Sequence, residues 1–209
     1  KETVEQLRTK LTTAVDTGNL EDVKSILETG ITPNFQRPDI ASPINFAVAR
    51  SSLDILELLL KNGANPNFTT SGPVTTLGQA TTNGRLDMVQ MLLNWGARVD
   101  GFGAELKKTS LMVAADIGRK DLVECLLAAH ADPNFKDKNG DTAFNYAEKK
   151  GHSSIVAILA PITKGAQTPE NLIITESDLI GQELAKNALK QVLALTAVNE
   201  ERKKHSLPL

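Results

Sequence analysis

Apolar residues recur along this chain at steps of three and four residues, in short stretches that alternate with Gly-containing turns. Steps of three and four residues place apolar side chains on one face of a helix. The pattern therefore predicts a series of short amphipathic helices over residues 3–160. The aliphatic run that follows the middle of a unit leads into a pair of adjacent aliphatic residues, as at Ile26-Leu27, Leu59-Leu60, Leu92-Leu93 and Leu126-Leu127.

The helical pattern repeats five times with a nearly constant period. Gly30, Gly63 and Gly96 follow the second stretch of a unit, where a left-handed helix cap suits a residue without Cβ. His130 holds this place in the fourth unit, so we expect mild backbone strain there. A Gly or Ser opens the second stretch of each unit, at intervals of 33, 33, 34 and 33 residues: Gly18, Ser51, Gly84, Gly118 and Gly151.

Three short motifs carry a family resemblance. Thr/Ser-Pro/x-Leu opens a unit, as in Ser42-Pro43-Ile44, and a Gly-Ala turn closes it, as in Gly63-Ala64-Asn65-Pro66-Asn67. Together with the Gly or Ser between the two helices, these motifs resemble the ankyrin-repeat family, whose units of about 33 residues are a hairpin-like finger and two antiparallel helices. The resemblance implies an all-α solenoid. The family's usual His in the fourth place of the first motif is absent from every unit, and with it the hydrogen bonds that normally tie neighbouring turns.

The period ends after Leu159, which indicates a second segment. We expect residues 1–163 to form the array of five units, with the first and last units acting as caps, and residues 164–209 to form a linker and a C-terminal helix. Helix formers fill Leu179 to Arg202, and an apolar stripe runs along them. We expect this amphipathic helix to pack on the last repeat, because the end of a solenoid otherwise exposes an apolar face. The alternatives are a helix that binds a partner, a dimer contact or a lead into another domain.

Composition and charge restrict the classes of partner. The chain has 41% hydrophobic but only 4% aromatic residues, so its core must be aliphatic. With 23 Lys plus Arg against 25 Asp plus Glu, the net charge of −2 provides no global attraction for nucleic acid. No apolar stretch reaches the length of a membrane span and no N-terminal signal segment is visible. A single cysteine favours a reducing compartment. We therefore expect a cytoplasmic protein, in the host cytoplasm if it is a secreted bacterial effector.

The residues that commonly carry chemistry are few and scattered. Cys125 falls in register with inward-facing aliphatic positions, and His130 and His152 each occupy a slot that recurs in every unit, while His205 lies in the tail. No Cys and His spacing suits zinc. We therefore predict no catalytic residue, no metal, no cofactor and no small-molecule substrate.

Candidate binding residues are those that vary between units, because a stacked array presents a concave surface of finger tips and first helices. One inserted residue, between Asp100 and Thr109, makes the third finger longer, either as a binding feature or as a tolerated insertion. Tyr146 faces either a partner or a capping element. The fingers contribute Arg37, Asp39, Ser71, Phe102, Glu105, Lys138, Asn139 and Asp141. The first helices contribute Phe46, Arg50, Gln79, Asn83, Asp116, Ile117, Tyr146 and Lys150.

Two aromatic features each allow two structural interpretations. Trp95 either covers a neighbouring helix or anchors a partner. The triplet Pro-Asn-Phe places Phe35, Phe68 and Phe135 in one slot, where the rings either stack as a ladder at the base of the fingers or form an exposed strip.

The pattern favours a monomeric, non-catalytic module that binds a protein or peptide on its concave face. A second hypothesis is the substrate-recruiting segment of a larger enzyme, such as a ubiquitin-ligase subunit or a bacterial effector acting in a host cell. A third is a structural protein that self-associates through the C-terminal helix.

Overall fold

The computed structural model describes residues 2–35, 42–68, 75–102 and 107–165. Within those ranges the chain forms helices and one isolated antiparallel bridge, between Phe102 and Thr109. The predicted all-α fold is confirmed. The helices are α1 (Val4–Thr17), α2 (Leu20–Leu27), α3 (Pro43–Ala49), α4 (Leu53–Lys61), α5 (Thr76–Thr82), α6 (Leu86–Asn94), α7 (Ser110–Asp116), α8 (Lys120–Ala128), α9 (Ala143–Lys150) and α10 (Ser153–Leu159).

The ten described helices form five pairs that stack in chain order. The two helices of each pair pack on each other. Each first helix packs on the first helix of the next pair, so α1, α3, α5, α7 and α9 form one row. The second helices α2, α4, α6, α8 and α10 form the other row. A two-row stack of this kind is the architecture that the period predicts.

Side-chain caps fix where the first helices begin. The hydroxyl oxygens of Thr75, Thr109 and Thr142 each accept a hydrogen bond from the backbone N–H three residues later. A Thr cap is worth about 1 kcal/mol, because it satisfies a donor that the helix itself leaves free. In the second pair, Pro43 lies at the first helical position, where its missing N–H costs nothing.

The core lies between the two rows and is almost wholly aliphatic. Leu56, Leu59, Met88, Leu92 and Leu122 are fully buried, and the equivalent positions of the fourth and fifth pairs are buried as well. Burial of one such side chain contributes about 1.5–3 kcal/mol. Stacking of neighbouring pairs therefore provides most of the stability of the array.

The turns after the second helices have the backbone that the Gly pattern predicts. Gly30, Gly63 and Gly96 have φ of 84°, 83° and 87°, and His130 adopts φ 65° in the equivalent place. A residue with Cβ in this left-handed region costs about 1–2 kcal/mol, so the expected strain at His130 has a structural basis.

Asparagine side chains tie each of these turns to the next. The Asn34 amide donates to the carbonyl oxygen of Gly63 (2.7 Å) and accepts from the N–H of Asn65 (2.7 Å). Asn67 repeats both bonds one pair later, to Gly96 (2.8 Å) and Arg98 (2.7 Å). These bonds link neighbouring turns. The family's usual His, which is absent here, normally makes links of this kind.

The expected phenylalanine ladder is not formed. In the described ranges no ring contact joins Phe35, Phe68 and Phe135 to one another. Phe35 is buried with the Arg8 guanidinium 5.4 Å from its ring centre, and the Phe135 ring lies 5.4 Å from that of Phe102 instead. Phe35 and Phe135 each have a partner outside their slot, so their rings do not meet in a ladder.

The predicted division at residue 163 and the predicted helix Leu179–Arg202 stay predictions, since residues 166–209 lie outside the described ranges. In the described part, no helix has both the length and the apolar character needed to cross a bilayer.

Candidate functional site

A carboxylate at the end of α7 joins two of the stacked pairs. Asp116 Oδ2 accepts a hydrogen bond from Lys108 Nζ at 2.7 Å, and Asp116 Oδ1 lies 3.7 Å from Lys150 Nζ. Lys108 precedes α7, whereas Lys150 ends α9. The contacts therefore lie on the surface formed by the first helices and the fingers before them, which we call the first-helix face.

Tyr146 of α9 adds a second connection on this face. Lys108 Nζ lies 4.2 Å from the centre of the Tyr146 ring, and the Tyr146 hydroxyl donates to Asp137 Oδ2 at 2.8 Å. Asp137 Oδ1 accepts from the N–H groups of Asn139 (2.8 Å) and Asp141 (2.9 Å), so this carboxylate also shapes the last finger.

A further ion pair extends the network, since Lys149 Nζ lies 2.6 Å from Asp141 Oδ2. We call the connected set the polar patch; its members are Lys108, Asp116, Asp137, Asp141, Tyr146, Lys149 and Lys150.

These contacts determine the protonation of the patch. Burial acts to raise the pKa of Asp116, but the hydrogen bond from Lys108 and the charges of Lys108 and Lys150 outweigh it and hold the pKa below the usual range. Burial also opposes ionisation of Asp137, yet the hydrogen bonds from Tyr146, Asp141 and Asn139 lower its pKa. The pKa of the Tyr146 phenol is raised, by burial and by its bond to Asp137. At neutral pH both carboxylates are therefore charged and Tyr146 is a hydrogen-bond donor.

Two exposed apolar residues are backbone neighbours of the polar patch, since the isolated bridge pairs Phe102 with Thr109, which follows Lys108, and Ile117 follows Asp116. Phe102 is 40% exposed and lies at the base of the third finger, and Ile117, also 40% exposed, follows Asp116. The backbone between them is unusual at Lys107, which has φ 50° in the finger that carries the inserted residue. Positive φ in a residue other than Gly is uncommon and tends to cluster at functional sites.

Comparison with known protein families agrees with the stacked helix pairs. A family model described as ankyrin repeats in three copies matches residues 11–103 and 111–175. The chain belongs to the ankyrin-repeat family. Ankyrin repeats are generally protein–protein interaction modules and are typically non-catalytic. The exposed surfaces of this ankyrin-repeat protein are therefore the places where a partner could bind.

Seven of the predicted binding residues lie at the last two repeats. The structure joins Asp116, Asp141, Tyr146 and Lys150 in the polar patch, and the Asn139 backbone contacts it. Ile117 and Lys138 are exposed and adjacent in sequence to Asp116 and Asp137.

Other predicted binding residues have contacts within the array. The Arg50 guanidinium pairs with Asp16 at 2.7 Å, and the Asn83 amide donates to the carbonyl oxygen of Val48 at 3.0 Å. Phe46 is half-buried against the core, and Gln79 is half-buried. Both polar contacts reach the preceding repeat, so these two residues also stabilise the stack. Four further predicted residues lie outside the described ranges: Arg37, Asp39, Ser71 and Glu105.

Sequence reasoning missed Lys108, Asp137 and Lys149 as members of the site. Asp137 begins the run Asp-Lys-Asn-Gly-Asp, and an acid two residues before Asn-Gly is a typical acceptor for turn N–H groups. Lys108 and Asp141 occupy the same slot, directly before the Thr that caps a first helix. Because Asp141 was already predicted, comparison of the slots immediately before the caps could therefore have found Lys108.

The residues considered for chemistry have structural contacts. His152 Nε2 lies 3.1 Å from the carbonyl oxygen of Asp116, and Arg119 Nη1 donates to that of Gly84 at 2.8 Å, so this slot links adjacent repeats. Cys125 is half-buried, and burial together with the charge of Asp121 raises the pKa of its thiol, which disfavours the nucleophilic thiolate. Among the described residues, no cluster of three or more His, Cys, Asp or Glu side chains could hold a metal ion.

Proposed function

We propose that this ankyrin-repeat protein binds a partner protein or peptide on the first-helix face of its last two repeats and catalyses no reaction. The contact area would include the polar patch, with Phe102 and Ile117 at its border. The resemblance to the family implies that this face is concave, which suits either an extended peptide or the edge of a folded domain.

The observation that carries the proposal is the polar patch. The aliphatic core already holds the repeats together, and surface ion pairs add little stability, about 0–1 kcal/mol each. The exposed ion pairs of the patch therefore contribute little to holding the stack, so their place on one face favours a binding role for these side chains. Because they are held by mutual contacts, they lose little conformational freedom when a partner binds.

The apolar border supports the same conclusion. Protein interfaces typically have an apolar centre that excludes water and a polar surround that sets specificity. The Phe102 ring contacts that of Phe135, which restrains a partly exposed side chain. An aromatic residue restrained in this way suits an interface anchor.

We further propose a cytoplasmic location, which the single cysteine supports. The same face would serve a substrate-recruiting segment of a larger enzyme, because recruitment is itself protein binding. A monomeric state and independence from any cofactor stay predictions.

Capture of partners from cell extract tests the proposal, with the full chain compared with two single variants on the face, Ile117→Glu and Phe102→Ala. Trp95→Ala is the matched control, because Trp95 is 45% exposed but ends α6 in the other row. We expect the recovered partner to be lost or strongly reduced with both face variants and retained with the control. Retention with both face variants, or loss only with Trp95→Ala, would place binding on another surface.

A further inference from the structure

We infer that the partner offers an acidic segment with an apolar side chain among its carboxylates. This inference rests on the proposed function and specifies the chemistry of the partner. It follows from which charges of the polar patch lie outermost, although the patch itself contains equal numbers of Lys and Asp residues.

The lysines at the outer edge of the patch are much more exposed than the carboxylates. The side chains of Lys149 and Lys150 are 61% and 58% exposed, whereas those of their partners Asp141 and Asp116 are 23% and 25% exposed. Asp137 is only 7% exposed and its oxygens are occupied by Tyr146 and backbone N–H groups. A molecule approaching the polar patch therefore meets the ammonium groups of Lys149 and Lys150 before the carboxylates that pair with them.

Three further lysines increase this positive charge. Lys107, Lys136 and Lys138 are exposed, and none forms an ion pair with a described residue. Lys107 and Lys138 directly precede Lys108 and Asn139 in the fingers beside the patch, and Lys136 follows Phe135. Opposite charges on a partner would increase its rate of association and select it from neutral competitors.

The apolar border selects a protein segment rather than a nucleic acid. Phe102 and Ile117 are each 40% exposed, and an apolar side chain of a peptide can be placed against them. Asp116 and Asp141 retain partial exposure among the lysines, which disfavours a phosphate backbone of uniform charge. A peptide can alternate acidic and apolar residues to match such a surface.

Selection from a random peptide library tests this inference. A displayed library of peptides of about a dozen residues is selected on the full 209-residue chain, and the affinity of the best peptide is measured by fluorescence anisotropy. The variants are Lys149→Gln with Lys150→Gln, their charge-reversed Glu forms, and Ile117→Glu. The matched control is Lys24→Gln with Lys61→Gln, which removes two exposed lysines from α2 and α4. Far-UV circular dichroism verifies that each variant is folded.

We expect selected peptides rich in Asp and Glu with one or two apolar residues. Removing the two patch lysines should weaken binding about tenfold, equivalent to about 1.4 kcal/mol, while the control pair changes it less than about twofold. The Glu forms should weaken it further, and added salt should weaken binding to the parent chain.

Three outcomes overturn the inference in distinguishable ways. Neutral or basic peptides whose binding is lost with Ile117→Glu would contradict the acidic partner but retain the proposed face. No selected peptide, or peptides insensitive to every face variant, would contradict the proposed function as well. Tighter binding of a single-stranded oligothymidylate than of any peptide, lost with the same lysines, would replace the acidic segment with a nucleic acid.

Discussion

The ammonium nitrogen of Lys108 lies 4.2 Å from the centre of the Tyr146 ring. The two residues belong to different repeats, so this cation–π contact joins the finger before α7 to α9. Such contacts contribute about 0.5–2 kcal/mol, with the higher values where water is excluded. Because the same nitrogen donates to Asp116, Lys108 holds the two repeats in a defined relation on the face that we propose for binding.

Loss of the Tyr146 hydroxyl should destabilise the last repeat. Tyr146→Phe keeps the ring beneath Lys108 but removes the hydrogen bond to Asp137. Hydrogen bonds to charged groups contribute about 1.5–3 kcal/mol, so we expect the free energy of unfolding to fall by about 1–2 kcal/mol, since Asp137 keeps its backbone donors. Urea denaturation at neutral pH measures the change.

A double-mutant cycle provides the control for this prediction. In an Asp137→Asn background the partner is no longer charged, so Tyr146→Phe should cost less. Equal costs in both backgrounds would mean that the hydroxyl stabilises the repeat through something other than the Asp137 carboxylate.

Asp100→Asn should stabilise the array by about 1 kcal/mol at neutral pH. Asp100 takes the place of Asn34 and Asn67 in the links between turns, but its carboxylate accepts only the N–H of Asp132 (3.0 Å). An amide there could also donate to the carbonyl oxygen of His130, which stands where Gly63 and Gly96 stand in the other links. Thermal or urea denaturation measures the gain, and Asn67→Asp is the reverse control, which should lose stability.

The gain from Asp100→Asn should depend on pH. Burial is the main cause of the raised pKa of Asp100. A raised pKa in the folded state means that the folded chain binds the proton more tightly, so the carboxylate becomes less favourable as pH rises through and above its usual range. The stabilisation should therefore be largest at neutral pH and shrink toward pH values near about 4. A gain that grows as pH falls would contradict this assignment.

His130→Gly should stabilise the fourth repeat by relieving its positive φ of 65°. We expect a gain of about 1 kcal/mol in the free energy of unfolding. Gly63→Ala is the opposite change in the equivalent turn, where an added Cβ would meet no atom within 4 Å, so only its backbone conformation carries a cost. A gain in both variants, or in neither, would show that φ at this turn does not limit stability.

A comparison of Gly118 with Gly151 distinguishes the cost of backbone strain from the cost of close packing. Their φ angles, 76° and 73°, are nearly the same, but a Cβ at Gly118 would lie 2.6 Å from the His152 ring, whereas a Cβ at Gly151 meets nothing within 4 Å. Gly118→Ala should therefore cost about 1 kcal/mol more than Gly151→Ala, because His152 must move and lose its contact with Asp116. In a His152→Ala background the difference should disappear, and its persistence would exclude His152 as the cause.

The sequence period was sufficient to predict the helices, the stack and the left-handed turns, because each depends on local spacing and on the special backbone of Gly. It also located part of the candidate site, since Tyr146 and Lys150 occupy slots of the first helices whose residues differ between units. The contact of Lys108 with Tyr146 could not be predicted. It depends on the distance in space between a finger and the next first helix. The spacing of residues along the sequence does not give that distance.

The phenylalanine ladder is a contact that the sequence period predicted but the structure does not form. A shared slot placed Phe35, Phe68 and Phe135 at equivalent points, but side chains of one slot contact one another only if nothing nearer competes. Phe102 comes from the finger with the inserted residue and pairs with Phe135. The Asn of the same triplet, whose amide both donates and accepts, makes the links between repeats instead.

Lysine footprinting of the complex shows whether the partner binds on the first-helix face. The full chain is treated with a reductive methylation reagent, alone and with its captured partner, and the modification rate of each lysine is read by mass spectrometry. We expect the partner to slow modification of Lys138, Lys149 and Lys150 and to leave Lys24, Lys61 and Lys120 on the second helices unchanged. Protection confined to the second-helix lysines would contradict binding on the first-helix face.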